Sequence, residues 1–161
     1  MVSDCLANTT EPYGIDMYIK ELFLPKLPDA VVKEVYQSIE LESDGVWNDK
    51  EFNMYQWIPA NDIVQNWCKS NISPDLYWGV QVIDSDLPMH KDRGTQIKFN
   101  YIVDQGGINP LTNYHDDQGK LINSYTMKPH AWYILNVTVN HSVTNMLAGK
   151  KRISITSRIM P

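Results

Sequence analysis

The sequence predicts a mainly β fold with flanking helices, a jelly-roll type of sandwich or barrel. Three observations carry this. After Pro74, short runs of alternating apolar and polar residues recur at regular spacing, separated by Gly, Pro and Asn/Asp turn signals. Before Pro74, two stretches instead repeat their apolar residues at helical spacing. Nine Tyr and five Trp stand against three Phe, the aromatic balance of a β-rich chain whose rings keep polar tips. The 161 residues suit one domain, 1–161, with room for a real core. Within it, 1–74 reads as helical support with an N-terminal strand and 75–161 as the barrel core. The first part is too small to stand alone.

Residues 1–15 are polar and carry no element signal. Residues 18–24 alternate as a strand, and Pro25 ends it. A helix entry at 27–30 is followed by Val31, Val35 and Ile39 as an apolar stripe. A Ser-Asp-Gly turn follows at 43–45, and 46–58 is ambiguous between loop and strand. A second helix runs from Pro59 to about Ser70, with Asn61 or Asp62 near its cap and Ile63, Val64 and Trp67 inward. Strands are then expected over 76–83, 95–103, 111–115, 121–127, 131–137 and 151–159. In the second of these Ile97, Phe99, Tyr101 and Val103 share one face. Gly106-Gly107, the 116–119 connection and Lys128-Pro129 supply turns. Trp78 and Trp132 read as core.

Composition narrows the function. Hydrophobic content of 43% and charged content of 20% are those of an ordinary globular chain. A net charge of −5 argues against non-specific wrapping of nucleic acid, which needs a basic surface. Cys5 and Cys68 belong to no metal or redox spacing, so two free thiols in a reducing, cytoplasmic setting are expected. No signal peptide and no membrane span is evident, and the Asn-x-Ser/Thr sequons are read as chance.

The chemistry gathers on His90, Asp92 and His141. Residues two apart on an extended backbone point to one side, so the His90 imidazole and Asp92 carboxylate can converge. His141 follows a buried strand. Two imidazoles and one carboxylate on one side of an octahedral ion leave three open positions, the facial triad of non-haem Fe(II) oxygenases. A bare His-x-Asp also fits a surface ion pair; the downstream His141 and Arg152 favour the metal. On the last strand Arg152, Ser154, Thr156 and Arg158 share a face, and Ile153, Ile155 and Ile159 the other. If that polar face points into the barrel, Arg152 needs an anionic partner. A dicarboxylate would supply one through a bidentate contact, with Ser154 adding a hydrogen bond. The competing reading is an edge strand whose Lys150-Lys151-Arg152 run is solvated.

His90-x-Asp92, His141 and Arg152-x-Ser154 resemble the H-x-D…H…R-x-S pattern of the 2-oxoglutarate and Fe(II)-dependent dioxygenases. The flanks resemble small members of the prolyl-hydroxylase-like branch: residues 100–103 before Gly106-Gly107, and Lys128-Pro129 leading into 135–137. The resemblance covers about 75–161. It implies a double-stranded β-helix, a jelly-roll or cupin-like barrel. His90, Asp92 and His141 would ligate Fe(II). Arg152 and Ser154 would hold 2-oxoglutarate, with the Tyr101 hydroxyl turned toward the same carboxylate. It further implies hydroxylation of a peptidyl residue or small molecule, with release of succinate and CO2. Two departures stand out. His130 follows Pro129 where the branch usually has glycine, and Asn136, where an apolar residue is common, could line the pocket. His115 reads as a solvated hairpin residue that could alternatively face the substrate opening.

Two other readings compete. The Arg152–Arg158 run is similar to the R-x-N-x-T-x-R run of nucleobase demethylases, but Ser154 replaces Asn and no basic, aromatic-rich grip is visible. A cupin-like metal-binding module without activity would share the barrel, but cupins offer three histidines and a glutamate. The expected partner is therefore a small or peptidyl substrate, with no nucleic acid and no membrane. Oligomeric state leaves no readable motif.

Overall fold

The structure, a computed structural model, describes residues 18–41, 55–93 and 97–159. The expected turn at 43–45, Trp47 and Cys5 lie outside the described residues. Ten strands and two helices occur among those described. They are β1 (Ile19–Leu22), α1 (Asp29–Leu41), β2 (Tyr55–Pro59), α2 (Asp62–Asn71), β3 (Leu76–Ile83), β4 (Leu87–His90) and β5 (Ile97–Asp104). Then come β6 (Leu111–His115), β7 (Leu121–Tyr125), β8 (Trp132–Asn136), β9 (His141–Thr144) and β10 (Arg152–Ile159). A six-stranded sheet runs β1-β8-β5-β10-β3-β2, and a four-stranded sheet runs β4-β9-β6-β7. Every pairing is antiparallel. From β3 onward the chain passes back and forth between the two sheets, the winding of a double-stranded β-helix.

The large sheet is buried on both faces, by different means. Trp78, Val80, Val82, Phe99, Tyr101, Val103, Trp132, Ile153 and Ile155 look outward and form one apolar cluster with Leu27, Val31, Val35, Val64 and Cys68. The helices thus cover this face. Val31 and Val35 are buried and Ile39 packs beside them, as the spacing predicts. Asn61 caps α2 by accepting from Val64 N (3.1 Å), and its amide donates to Glu34 Oε2 (2.9 Å), tying the helix start to α1. One expectation fails on α2. Ile63 is 53% exposed, and Gln65 is buried in its stead. The reason is polar: Gln65 Oε1 accepts from Trp78 N (3.0 Å) and its amide donates to Trp78 O. A side chain that satisfies both backbone groups of β3 outweighs the burial of one isoleucine.

The inner face looks toward the small sheet. Ile83 clusters with Leu87 and Val143 across the barrel, and Ile102 with Met127, Tyr133, Leu135 and Val137. Strands β4 and β9 are additional to the expected set. They are four residues each, too short for a periodic signal.

Candidate metal centre

His90 ends β4, His141 opens β9, and the two are direct cross-strand partners. Their rings lie 4.3 Å apart, centroid to centroid. Asp92 follows β4, held by its backbone N–H donating to Val137 O (3.0 Å). One ligand atom from each of the three residues lies within 4.8 Å of the others. Asp92 Oδ1 is 3.3 Å from both His90 Nε2 and His141 Nε2.

The tautomers follow from the backbone. His90 Nδ1 is 2.8 Å from Pro88 O, and His141 Nδ1 is 2.8 Å from Val139 O. A carbonyl only accepts, so each Nδ1 carries the proton. In the neutral ring each Nε2 is then a bare lone pair aimed at a carboxylate oxygen. Three acceptors facing one point are repulsive unless a cation joins them. Two imidazoles and a carboxylate are a donor set suited to Fe(II), with the outer nitrogens anchored as metal-bound histidines usually are. The residues therefore fit the ion.

A cation already touches the far side of the carboxylate. Lys98 on β5 pairs with Asp92 Oδ2, its side chain 12% exposed. Burial alone would push the Asp92 carboxyl up. The charge and hydrogen bond of Lys98 oppose this and favour the ionised carboxylate, the form a metal ion requires. Tyr114 on β6 completes the wall, its ring centroid 5.9 Å from that of His141 and its hydroxyl donating to Tyr18 O (3.3 Å). Burial pushes its phenol up, so it stays protonated.

Arg152 does point into the barrel. It is 3% exposed, Nη1 donates to Thr112 Oγ1 across the barrel (3.0 Å), and Nε reaches Gln105 O (3.5 Å). Nη2 is buried with no hydrogen-bond partner. Burial pushes its guanidinium down to about 10, still charged at neutral pH. Thr112 pairs with Val143, two residues beyond His141. That is roughly 7 Å along a strand, close to the length of a five-carbon diacid. Ser154 shares this face, its hydroxyl 3.2 Å from Gln81 Oε1.

Tyr101 is not brought to the site. It pairs with Ile155 on the helix-covered face, packs against Trp132 at a tilt (5.0 Å between centroids) and accepts from Leu27 N (3.3 Å). The expectation that its hydroxyl meets the carboxylate bound by Arg152 fails on strand parity. Its own alternation with Ile97, Phe99 and Val103 carried that signal. His115 also turns away, onto the outer face of the small sheet, where its Nε2 lies 3.0 Å from Ser142 Oγ. Asn136 accepts from Thr138 N (3.0 Å) in a local turn, away from the pocket. His130 has φ 60, a left-handed conformation that glycine adopts without strain. Lys98, Thr112 and Tyr114 are additional to the expected site residues. Lys98 and Asn100 alternate with the apolar face of β5, the signal that marks their inward direction.

No family model and no curated protein matches the sequence. Solved structures do match in shape. A prolyl-4-hydroxylase from Pseudomonas putida superposes with a TM-score of 0.55 at 13% identity, over 100% of both chains. An oxidoreductase of the 2OG-Fe(II) oxygenase family from Burkholderia pseudomallei superposes with a TM-score of 0.56 at 11% identity, over 98% of this chain and 88% of that one. The two sheets, their order and these likenesses together give the chain the prolyl-hydroxylase-like fold of the 2OG-Fe(II) oxygenases.

Proposed function

We propose that the protein is an Fe(II)- and 2-oxoglutarate-dependent oxygenase that hydroxylates a small molecule or peptidyl residue. His90, Asp92 and His141 hold the ion. The ion and 2-oxoglutarate together supply the oxidising chemistry, dioxygen being consumed with release of succinate and CO2 as a substrate C–H becomes C–OH. The protein's own task is placement. Pro88 O and Val139 O fix the imidazole tautomers. Arg152 takes the distal carboxylate through Nη2, with Thr112 steadying the guanidinium and Ser154 adding a hydroxyl from the same face. Ile83, Leu87 and Val143 keep water from the diacid's stem. Residues 1–161 act as one domain, and the setting is cytoplasmic. No helix among the described residues is long and apolar enough to cross a membrane.

The observation that carries this reading is the buried, unpartnered Arg152 Nη2, set one strand repeat from three converging donor atoms. Such a guanidinium is costly without an anion. Anaerobic titration with Fe(II) and then 2-oxoglutarate tests it by the visible charge-transfer band. His90→Ala should abolish the band. Arg152→Ala should weaken 2-oxoglutarate binding about a hundredfold while Fe(II) stays bound. Unchanged co-substrate affinity in that variant would remove the Arg152 assignment. Succinate release separates the oxygenase from a metal-binding module without activity.

A further inference from the structure

Three cations stand on the inner face of the large sheet among the described residues: Arg152, Lys98 and Arg158. Arg152 is assigned to the co-substrate and Lys98 is paired with Asp92. Arg158 has no acidic partner within ion-pairing distance among the described residues. Yet it is held in place. Its guanidinium carbon lies 3.8 Å from the Trp57 ring centroid. The indole crosses β3 over Gly79, where a Cβ would come within 2.1 Å of it, and its Nε1–H donates to Thr156 Oγ1 (3.1 Å). A missing side chain, an indole and a hydroxyl thus form a seat for one cation. Thr156 is directly opposite Asn100, and Asn100 is two residues from Lys98 on the same face. Asn100 is 6% exposed, and its Oδ1 is buried with no donor. The seat therefore lies along the wall that Lys98 joins to the metal centre, with an unmet acceptor beside it.

We propose that Arg158 and Asn100 form the substrate subsite, and that the substrate is an amino-acid carboxylate. Arg158 takes the carboxylate as a planar, charge-assisted pair, and Asn100 Oδ1 accepts from the neighbouring N–H. The indole presets the guanidinium plane, so little side-chain freedom is lost on binding. The subsite rests on the oxygenase reading, since it is the Asp92–Lys98 contact that sets it beside the reacting centre. Both a free amino acid and the C-terminal residue of a peptide present this chemistry.

The test uses the full chain loaded with Fe(II) and 2-oxoglutarate under anaerobic conditions. The probes are free L-amino acids, their N-acetyl forms, N-acetyl tripeptides, and the carboxamide of each. Binding is read from the perturbation of the charge-transfer band. At least one carboxylate probe should bind about tenfold or more tightly than its carboxamide. Arg158→Gln should erase that preference, and Arg158→Lys should restore only part of it, because an ammonium keeps the charge but not the fork. A response confined to free or N-acetyl amino acids identifies a metabolite, and one confined to tripeptides a chain end; either supports the subsite. Equal binding of every carboxylate and its carboxamide, or a preference that survives in Arg158→Gln, overturns it. Absence of any band in the unsubstituted protein would instead defeat the oxygenase reading, which keeps the two failures apart.

Discussion

The two faces of the large sheet are buried to a similar degree and differ in almost every other respect. On β10, Ile153 and Ile155 enter the helix-covered cluster, while Arg152, Ser154 and Thr156 on the other side are at most 3% exposed. The outward face is held mainly by area removed from water, and its buried polar side chains, Gln65 and Ser157, sit where they bond backbone groups of the sheet. The inward face carries hydroxyls, amides and guanidinium groups whose partners are incomplete. Burial by itself therefore says little about where chemistry lies. A buried guanidinium short of a partner says more, because leaving a charged group unmatched costs far more than leaving the Trp78 indole N–H unmatched on the other face.

Substitutions on the two faces should separate these roles. Ile155→Ala removes a fully buried side chain from the helix-covered face and should cost about 2–5 kcal/mol in denaturant unfolding. The folded fraction should bind 2-oxoglutarate normally. Arg152→Met should do the opposite, stabilising the ligand-free protein by about 1–4 kcal/mol while abolishing co-substrate binding. Its pH dependence has a definite sign. The folded guanidinium titrates near 10 against an ordinary 12.5, so between those values the unfolded chain holds more protons and native stability rises with pH. The advantage of Arg152→Met should be level from pH 6 to about 9 and shrink above about 10, which urea midpoints across that range would reveal. A flat difference through pH 12 would mean that the arginine is not penalised by burial.

Lys98→Met tests whether the inward face steers a ligand as well as binding one. Freed from the ammonium, Asp92 can swing, and Co(II) affinity should fall by about 10- to 100-fold by calorimetry, with an altered visible spectrum. Affinity and spectrum both unchanged would make the ion pair incidental. Smallest of all, His130→Gly should raise stability by up to about 1 kcal/mol, since φ 60 is strained for any residue with a Cβ. It lies on neither face and should leave metal binding untouched.

Much of this was legible in the chain. Strict alternation over 151–159 assigns Arg152 and Ile153 to opposite faces without a structure. Helical spacing gives Val31, Val35 and Ile39. The triad is read from donor chemistry and downstream context and then matched by the family pattern, because 49 positions separate His141 from Asp92 and no local pattern brings them together. Tyr101 shows resemblance and alternation in conflict; the alternation was the better guide, because strand parity is a hard geometric constraint. Gln65 was hidden for another reason. Its burial depends on the backbone of β3, thirteen residues away, and hydropathy sees only its own amide.

The contact between Asp92 and Lys98 has a consequence for the life history of the protein. A partly buried carboxylate is steadied by a counter-charge as the chain collapses, and here the chain brings its own. The charge balance of the fold therefore does not wait on an ion, and removal of one need not unfold the chain. On the oxygenase reading, metal supply would then set how many copies are competent while leaving unaltered how many are folded.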